Sequence, residues 1–180
     1  MNKMAVTLEQ ARELVRRKLD AMPGGSRFRI LDESVSELQE GWIFGYQSAD
    51  FLETGDISKA LAGNAPMFVT RDAGEIFFLS QHRPLTESMA AYRASGDPNA
   101  PLIPEVELSG WKVGANAVAA IQGIRRHCPV GLAEAKSIIE RCLDGERCVL
   151  RAPDIEQAKL MVTTLESAGF VSCVRFARAR

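Results

Sequence analysis

The feature that most constrains the fold is an alternation of large apolar residues in the first half of the chain. Three aromatic side chains share one parity: Trp42, Phe44 and Tyr46. Every second residue of a strand faces the same side of a sheet, so this pattern predicts a strand covered mainly on one side. Two further apolar runs, 66–69 and 75–79, flank a short turn that ends in Gly74, which indicates a β-hairpin. An antiparallel sheet is therefore expected.

Helix signals lie on both sides of these strands. Thr7 and Gln10 have the spacing of a capping box, which predicts the start of a helix. Its apolar stripe recurs at three- and four-residue spacing: Leu8, Ala11, Val15 and Leu19. We expect Pro23 and the glycines after it to end this helix, residues 27–35 to form a strand, and Pro84 to open a closing helix. The inward face of that closing helix is predicted to hold Leu85, Met89 and Tyr92.

The second half shows a different order of elements. A short strand at 105–108 precedes two helices within 114–142, which are interrupted near Pro129. A strand at 148–150 follows, then a helix capped by Asp154 and a strand ending at Phe176: the predicted order is β-α-α-β-α-β. Together with the helix, antiparallel meander and helix of the first half, this order predicts the α+β class.

A proline-rich segment separates the two halves. Between Tyr92 and Val106 the chain has no periodic apolar pattern and carries three prolines: Pro98, Pro101 and Pro104. Proline fixes its own φ and favours extended geometry in the residue before it. We therefore predict one domain at 1–95, a semi-rigid linker at 96–104 and a second domain at 105–180.

The first half resembles a known family of bacterial proteins. The string Trp-Ile-Phe-Gly-Tyr-Gln at 42–47, the turn Gly-Asn-Ala-Pro at 63–66, the hairpin and the closing helix are similar to the YrhB-like or immunity protein 35 family of polymorphic toxin systems. The resemblance implies a non-enzymatic immunity protein that binds and neutralises a cognate protein toxin. The turn itself also has a purely conformational explanation, since Gly and Asn tolerate positive φ and Pro can start an edge strand.

The second half resembles another family. Its Gly-Leu-Ala-Glu-Ala-Lys string at 131–136 is similar to the C-terminal domain of the large-subunit ribosomal stalk protein. The resemblance implies contacts to translational GTPases through the first two helices, where Arg125 and Lys136 occupy family positions. Ala117 and Gln122 stand where that family carries lysines. An alternative function is therefore a translation-associated or chaperone-like adaptor that binds cytosolic proteins, and self-association through this half is also open.

Acidic residues dominate one stretch of the first half. From residue 30 to residue 58 there is no Lys or Arg and there are seven acids: Asp32, Glu33, Glu37, Glu40, Asp50, Glu53 and Asp56. A carboxylate-rich surface would suit a basic cleft on a toxin, because complementary charge steers association. We predict partner contacts at Glu40, Asp50, Glu53 and Asp56. Tyr46 is a core residue or, if partly exposed, an aromatic anchor. Alternatively, the acids only keep strand edges and loops solvated.

Composition argues against several other functions. The formal net charge of −1 gives no basic field for nucleic acid, and no apolar run approaches the roughly 20 residues that cross a bilayer. A cytoplasmic protein is expected. The four cysteines form no CxxC pair and are expected to be buried hydrophobes, with no metal site and no cofactor. His127 and Cys128 are neighbours on a helix, so their side chains diverge by about 100° and no enzyme activity is expected.

Overall fold

The structure is a computed structural model that describes residues 5–24 and 27–178. The chain divides into two compact units. The first holds the residues up to Ala90 together with Asp97–Asn99, and the second holds Ala91–Gly96 and the residues from Ala100 onward. Helices and antiparallel sheets occur in both, which confirms the predicted α+β class.

The first unit is a four-stranded antiparallel sheet with helices. Its sheet has the order β1-β2-β3-β4. The elements in chain order are α1 (Leu8–Asp20), β1 (Phe28–Glu37), β2 (Gly41–Ser48), α2 (Ala49–Thr54), a 3-10 helix (Ile57–Lys59), β3 (Met67–Thr70), β4 (Ile76–Phe78) and α3 (Leu85–Ser95). The residues of α3 from Ala91 onward are grouped with the second unit.

Helix α1 begins at the predicted capping box. The Thr7 hydroxyl accepts the Gln10 N–H at 3.3 Å, and the Gln10 side chain accepts the Thr7 N–H at 2.9 Å. Ala11, Val15 and Leu19 are buried against the sheet, as the apolar stripe predicts. The helix ends at Asp20, three residues before Pro23, because the Ala21 N–H already closes the last turn.

Strand β2 is buried on both sides, which the sequence did not predict. Trp42 and Phe44 join the α1-facing core, and Ile43, on the other parity, is also buried. Ile43 lines a cavity of about 320 Å³ together with Leu85 and other residues near the start of α3. Leu85 itself is exposed, whereas its neighbours Ser88, Met89 and Ala91 are buried, so the predicted inward face of α3 is wrong at Leu85.

Arg71 fixes the turn between β1 and β2. Its guanidinium binds the Glu37 carboxylate at 2.7 Å and donates to the carbonyl oxygens of Leu38 and Gln39 at 2.9 and 3.2 Å. The same group lies 4.2 Å from the centre of the Trp42 ring. This geometry uses both the planar fork and the π-face of arginine, which lysine cannot reproduce.

We expect Arg71→Ala to destabilise the first unit by about 2 kcal/mol, because two backbone carbonyls and one carboxylate lose their donor. The measurement is chemical unfolding followed by Trp42 fluorescence in a Trp111→Phe background, which leaves one of the two tryptophans. Arg71→Lys is the matched control, and its unfolding midpoint should lie between those of the parent and Arg71→Ala. An unfolding midpoint for Arg71→Ala equal to that of the parent would contradict the role of this side chain.

The predicted linker at 96–104 differs from the structure at its C-terminal end. Strand β5, Leu102–Trp111, begins inside it. The carbonyl oxygens of Pro101 and Pro104 accept backbone hydrogen bonds of 2.8 and 2.9 Å. Proline cannot donate to a sheet but can accept, so this part of the segment is fixed at the edge of the second unit and is not a free spacer.

The second unit is a three-stranded antiparallel sheet with three helices, and its strand order is β6-β5-β7. After β5, the elements are α4 (Ala117–His127), α5 (Leu132–Leu143), β6 (Cys148–Arg151), α6 (Ile155–Ser167) and β7 (Phe170–Phe176). Ile124, Ile139, Met161 and Phe170 bring these elements into one core. Asn116 and Asp154 cap α4 and α6 through their side chains.

The cysteines follow their strand and helix positions. Cys128, Cys142 and Cys148 are buried, as predicted, and the structure describes all four thiols as free. The prediction is wrong for Cys173, which is exposed because β7 buries Phe170 and Ser172 and turns the alternate residues outward.

Candidate partner-binding surface

A short helix presents two of the predicted acidic residues, Asp50 and Glu53, and a third, Asp56, follows it. Ser48 caps α2 by accepting the Phe51 N–H at 3.4 Å, and Gly55 ends it in the left-handed conformation, with φ of 69°. A serine at the N-cap and a left-handed glycine at the C-terminus are typical start and stop signals of a helix. The sequence did not reveal α2, since six residues are too few to show a helical period.

Asp50 and Glu53 lie three residues apart on α2 and are both exposed. Among residues 5–24 and 27–178, neither carboxylate has an ion-pair partner. Residues three apart on a helix are neighbours on its surface, so the two carboxylates can face one partner together.

Asp56 follows the helix and holds the next turn in place. Its carboxylate accepts the Ser58 hydroxyl at 2.7 Å and the Ser58 N–H at 3.0 Å. These two hydrogen bonds lower the pKa of Asp56 below its usual value, because they stabilise the ionised form. The Lys59 ammonium lies 4.0 Å away. Asp56 is therefore a fixed negative charge with a structural role of its own.

Two large apolar side chains lie among these acids. Leu52 is 47% exposed and Ile57 is 82% exposed. Sequence reasoning missed both, although the signal was present as apolar residues between carboxylates in a stretch with no strand pattern. We call these five residues the α2 surface: Asp50, Leu52, Glu53, Asp56 and Ile57. It combines exposed carboxylates with one half-exposed and one largely exposed apolar side chain.

Two amide side chains tie the α2 surface to the sheet. Gln47 of β2 accepts the N–H groups of Ser48 and Leu61 at 2.7 and 2.6 Å and donates to the Leu61 carbonyl at 3.3 Å. Asn64 donates to the Tyr46 carbonyl at 2.6 Å. Gly63 has the positive φ expected of this turn, 72°, but Asn64 does not. Asn64 acts by its hydrogen bond, and the loop is held in one conformation.

Gln47→Ala is expected to loosen this loop, because it removes three hydrogen bonds that close residues 48–61. The local opening free energy should fall by about 2 kcal/mol, which appears as faster amide hydrogen exchange around Leu61. Gln39→Ala, at an exposed glutamine in the β1–β2 turn, is the matched control. Unchanged exchange at Leu61 in the Gln47 variant would show that the loop holds itself without this side chain.

The other predicted acids do not join this surface. Phe28 of β1 pairs with Ser48, whereas Glu37 pairs with Trp42 at the far end of the hairpin. Along β2, the six residue steps from Ser48 to Trp42 span roughly 20 Å, at about 3.3 Å for each step. Glu40 lies in the turn at that far end, so it is separated from α2. The prediction of one continuous acidic face is wrong.

Two acids of β1 already have arginine partners. Asp32 binds Arg12 of α1, and Glu37 binds Arg71. Pairing reduces the charge that these carboxylates offer to a partner. Of the two alternatives for Tyr46, the structure favours the core residue over the exposed anchor: this side chain is 5% exposed and packs beside Phe28, and burial raises the pKa of its hydroxyl.

The predicted basic residues lie in the second unit. Arg125 is exposed near the end of α4. Lys136 is exposed on α5 and lies 3.6 Å from Glu140, one turn further along the same helix. Exposed pairs of this kind contribute little to stability, so Lys136 remains available to a partner.

His127 and Cys128, which are neighbours in the sequence, form hydrogen bonds to different residues. His127 Nδ1 lies 2.9 Å from the Gln157 side chain, whereas the Cys128 thiol is directed to the Arg151 carbonyl at 3.3 Å. Burial raises the pKa of Cys128, and the nearby Glu134 adds to the shift, which disfavours the nucleophilic thiolate. Within 5–24 and 27–178, no cluster of His, Cys, Asp and Glu could hold a metal ion. Among the described helices, none combines the length and apolar character that a membrane crossing requires.

Comparison with known proteins finds similarity in the first unit. Residues 9–95 match the family model for immunity protein 35. The chain is also 45% identical over 53 residues to the uncharacterized protein YrhB of Escherichia coli strain K12, an alignment that covers 29% of this chain and 56% of YrhB. The chain thus spans about half the length of this curated relative. No solved structure matches. The family match ends at residue 95, and the stalk-like character of the second half stays a prediction.

Proposed function

We propose that this protein is an immunity protein that binds a cognate bacterial toxin through the α2 surface and neutralises it without catalysis. The observation that carries the proposal is the match of residues 9–95 to immunity protein 35. The α2 surface lies entirely within that range. A family defined by immunity points to a binding role.

The chemistry of the α2 surface indicates what it binds. Protein interfaces gain most of their affinity from a few apolar anchors that become fully desolvated, and Leu52 and Ile57 are exposed groups of this type. The surrounding carboxylates of Asp50, Glu53 and Asp56 favour a positively charged partner and speed its approach. The proposed partner surface is therefore basic with an apolar pocket, as in the cleft of a toxin that acts on nucleic acid.

Rigidity of the loop supports the same proposal. A loop that is already ordered loses less conformational entropy when a partner binds, which improves affinity without any new contact. Gln47, Asn64 and the Asp56–Ser58 hydrogen bonds provide that order before binding.

The proposal is tested by co-expression with the protein encoded in the neighbouring gene. Expression of that protein alone should arrest growth, and the full chain should restore growth and co-purify with it in a one-to-one complex. The Gln39→Ala variant, whose substitution lies outside the α2 surface, should restore growth as fully as the unsubstituted chain. Persistent arrest together with the absence of a complex would contradict an immunity function for that pair.

A second candidate concerns the second unit. Val118 of α4 and Leu132 of α5 are large, exposed apolar residues on the helices that carry Arg125 and Lys136. This arrangement favours an adaptor that contacts a cytosolic GTPase. Capture of translation factors by the full chain, and its loss in Val118→Asp with Leu132→Asp, would support this candidate. Equal capture by the variant would contradict it.

A further inference from the structure

A cleft of about 450 Å³ lies between α1 and β1 of the first unit. Both apolar and charged residues line it. The residues that line it are Arg12, Arg16, Leu19, Asp20, Phe28, Arg29, Ile30 and Asp32. The cleft is large enough to hold several side chains of a bound segment.

The cleft follows the outer edge of the sheet. Strand β1 is the first in the sheet order and, among the described residues, it pairs only with β2. Phe28, Arg29 and Ile30 are consecutive, so both parities of the strand line the cleft. Because alternate residues point to opposite faces of a sheet, a cleft lined by both parities must open at the strand edge, where backbone N–H and C=O groups face outward.

Only one part of this edge is suited to pairing with another strand. The register with β2 shifts between Leu31 and Ser36, and the exposed acids Asp32 and Glu33 lie in the shifted part. Bulges and charges of this kind protect sheet edges from unwanted pairing. The segment Phe28–Leu31 keeps a regular register, and it is the part that adjoins the cleft.

Three arginines surround this segment. Arg12 is partly buried and is fixed by Asp32. Arg16 is one turn further along α1 and exposed, and the Glu13 carboxylate lies 3.5 Å from it. Arg29 donates to the Phe28 carbonyl at 3.0 Å, which places its guanidinium beside the strand edge. Two acids, Asp20 and Asp32, also line the cleft, but Asp32 is already paired with Arg12. Guanidinium groups bind carboxylates with two parallel hydrogen bonds, so Arg16 and Arg29 favour an acidic ligand.

We propose that the edge of β1 at Phe28–Leu31 accepts an extended acidic segment of a partner protein, which adds to the sheet as a fifth strand. The backbone of the segment would pair with β1. Its carboxylates would contact Arg16 and Arg29, and its alternate apolar side chains would cover Phe28 and Ile30. Strand addition gains affinity from main-chain hydrogen bonds and specificity from alternate side chains. This site shares no residue with the α2 surface, and the proposal does not depend on the toxin proposed above.

The probe is a fluorescein-labelled peptide of eight alternating Val and Glu residues, added to the full chain and followed by fluorescence anisotropy. We expect saturable binding, at least tenfold weaker binding to the Arg16→Glu and Arg29→Glu double variant, and little change in Arg17→Glu. Arg17 is the matched control because it lies on the same helix but outside the cleft, bound to Glu13 at 3.0 Å. No binding by the wild type, or equal binding by the double variant, would overturn the proposal.

Two further ligands separate strand addition from simple charge attraction. A peptide of the same sequence with alternate backbone nitrogens methylated keeps its charge but loses half of its donors, and it should bind at least tenfold more weakly. A single-stranded oligonucleotide of equal charge should also bind more weakly than the Val-Glu peptide. Equal or tighter binding of either ligand would show that the arginines attract anions without pairing at the β1 edge.

Discussion

Replacement of Gly41 by alanine is expected to unfold the first unit and to abolish toxin binding. A Cβ atom at this position would lie 1.9 Å from the Val69 carbonyl oxygen and 2.9 Å from its carbon. Both atoms are backbone, in the strand that pairs with β2, so no side-chain rotation relieves the overlap. The cost should be on the order of 4 kcal/mol or more, since β2 and β3 must separate.

Amide hydrogen exchange in β2 and β3 measures this effect within the full chain. Gly110→Ala is the matched control, because Gly110 also lies in a strand but a Cβ atom there would meet open space. In the Gly41 variant the β2 and β3 amides should exchange at the rate of an unfolded segment. Exchange as slow as in the parent would show that the strands can part without loss of the fold.

Phe170→Ala should have the second largest effect and should act on the other unit. Phe170 is buried at the start of β7 within the core formed by α4, α5, α6 and the sheet. Truncation of a buried phenylalanine leaves a cavity and costs about 3–5 kcal/mol. Amides of β5 and β7 should exchange much faster, while those of β2 and β3 remain protected.

The same variant separates the roles of the two units. If the toxin binds the first unit, Phe170→Ala should retain toxin binding even though the second unit is destabilised. Phe170→Leu keeps most of the apolar volume and is the control, with a cost below about 1.5 kcal/mol. Loss of toxin binding in the alanine variant alone would mean that the second unit takes part in the complex.

Local signals in the sequence predicted much of the fold. The Thr7–Gln10 capping box, the Asp154 cap and the parity of Trp42 and Phe44 depend on residues close together in the chain. Such signals report local hydrogen bonds and burial directly. They located the strands and the longer helices of both halves, and thereby the α+β class.

Contacts between distant residues account for what the sequence did not show. Asp32 and Glu37 look like free acids, but their partners Arg12 and Arg71 lie 20 and 34 residues away. Helix α2 depends on Gln47 as well as on its own caps, and its six residues are too short for a periodic signal. The start of β5 at Leu102 is fixed by pairing with Phe176, at the opposite end of the second unit's sequence.

The candidate site was therefore only partly predictable. Asp50, Glu53 and Asp56 were identified from charge, and the structure gathers them with Leu52 and Ile57. Glu40 and Tyr46 were grouped with them because sequence proximity does not reveal which end of a hairpin a residue occupies, or how deeply an aromatic ring is buried.

The most direct measurement of the central claim is the affinity of the purified toxin for a variant of the α2 surface. The variant combines Asp50→Lys, Glu53→Lys and Asp56→Asn, because asparagine removes the charge of Asp56 and keeps an acceptor for Ser58.

The control reverses two exposed acids of the β3–β4 turn, Asp72→Lys and Glu75→Lys. Toxin binding through the α2 surface predicts an affinity loss of about 100-fold or more for the variant, roughly 2.8 kcal/mol, and an unchanged affinity for the control. If the affinity of the variant is within about threefold of the wild type, a difference in binding free energy of less than roughly 1 kcal/mol, toxin binding through the α2 surface is contradicted.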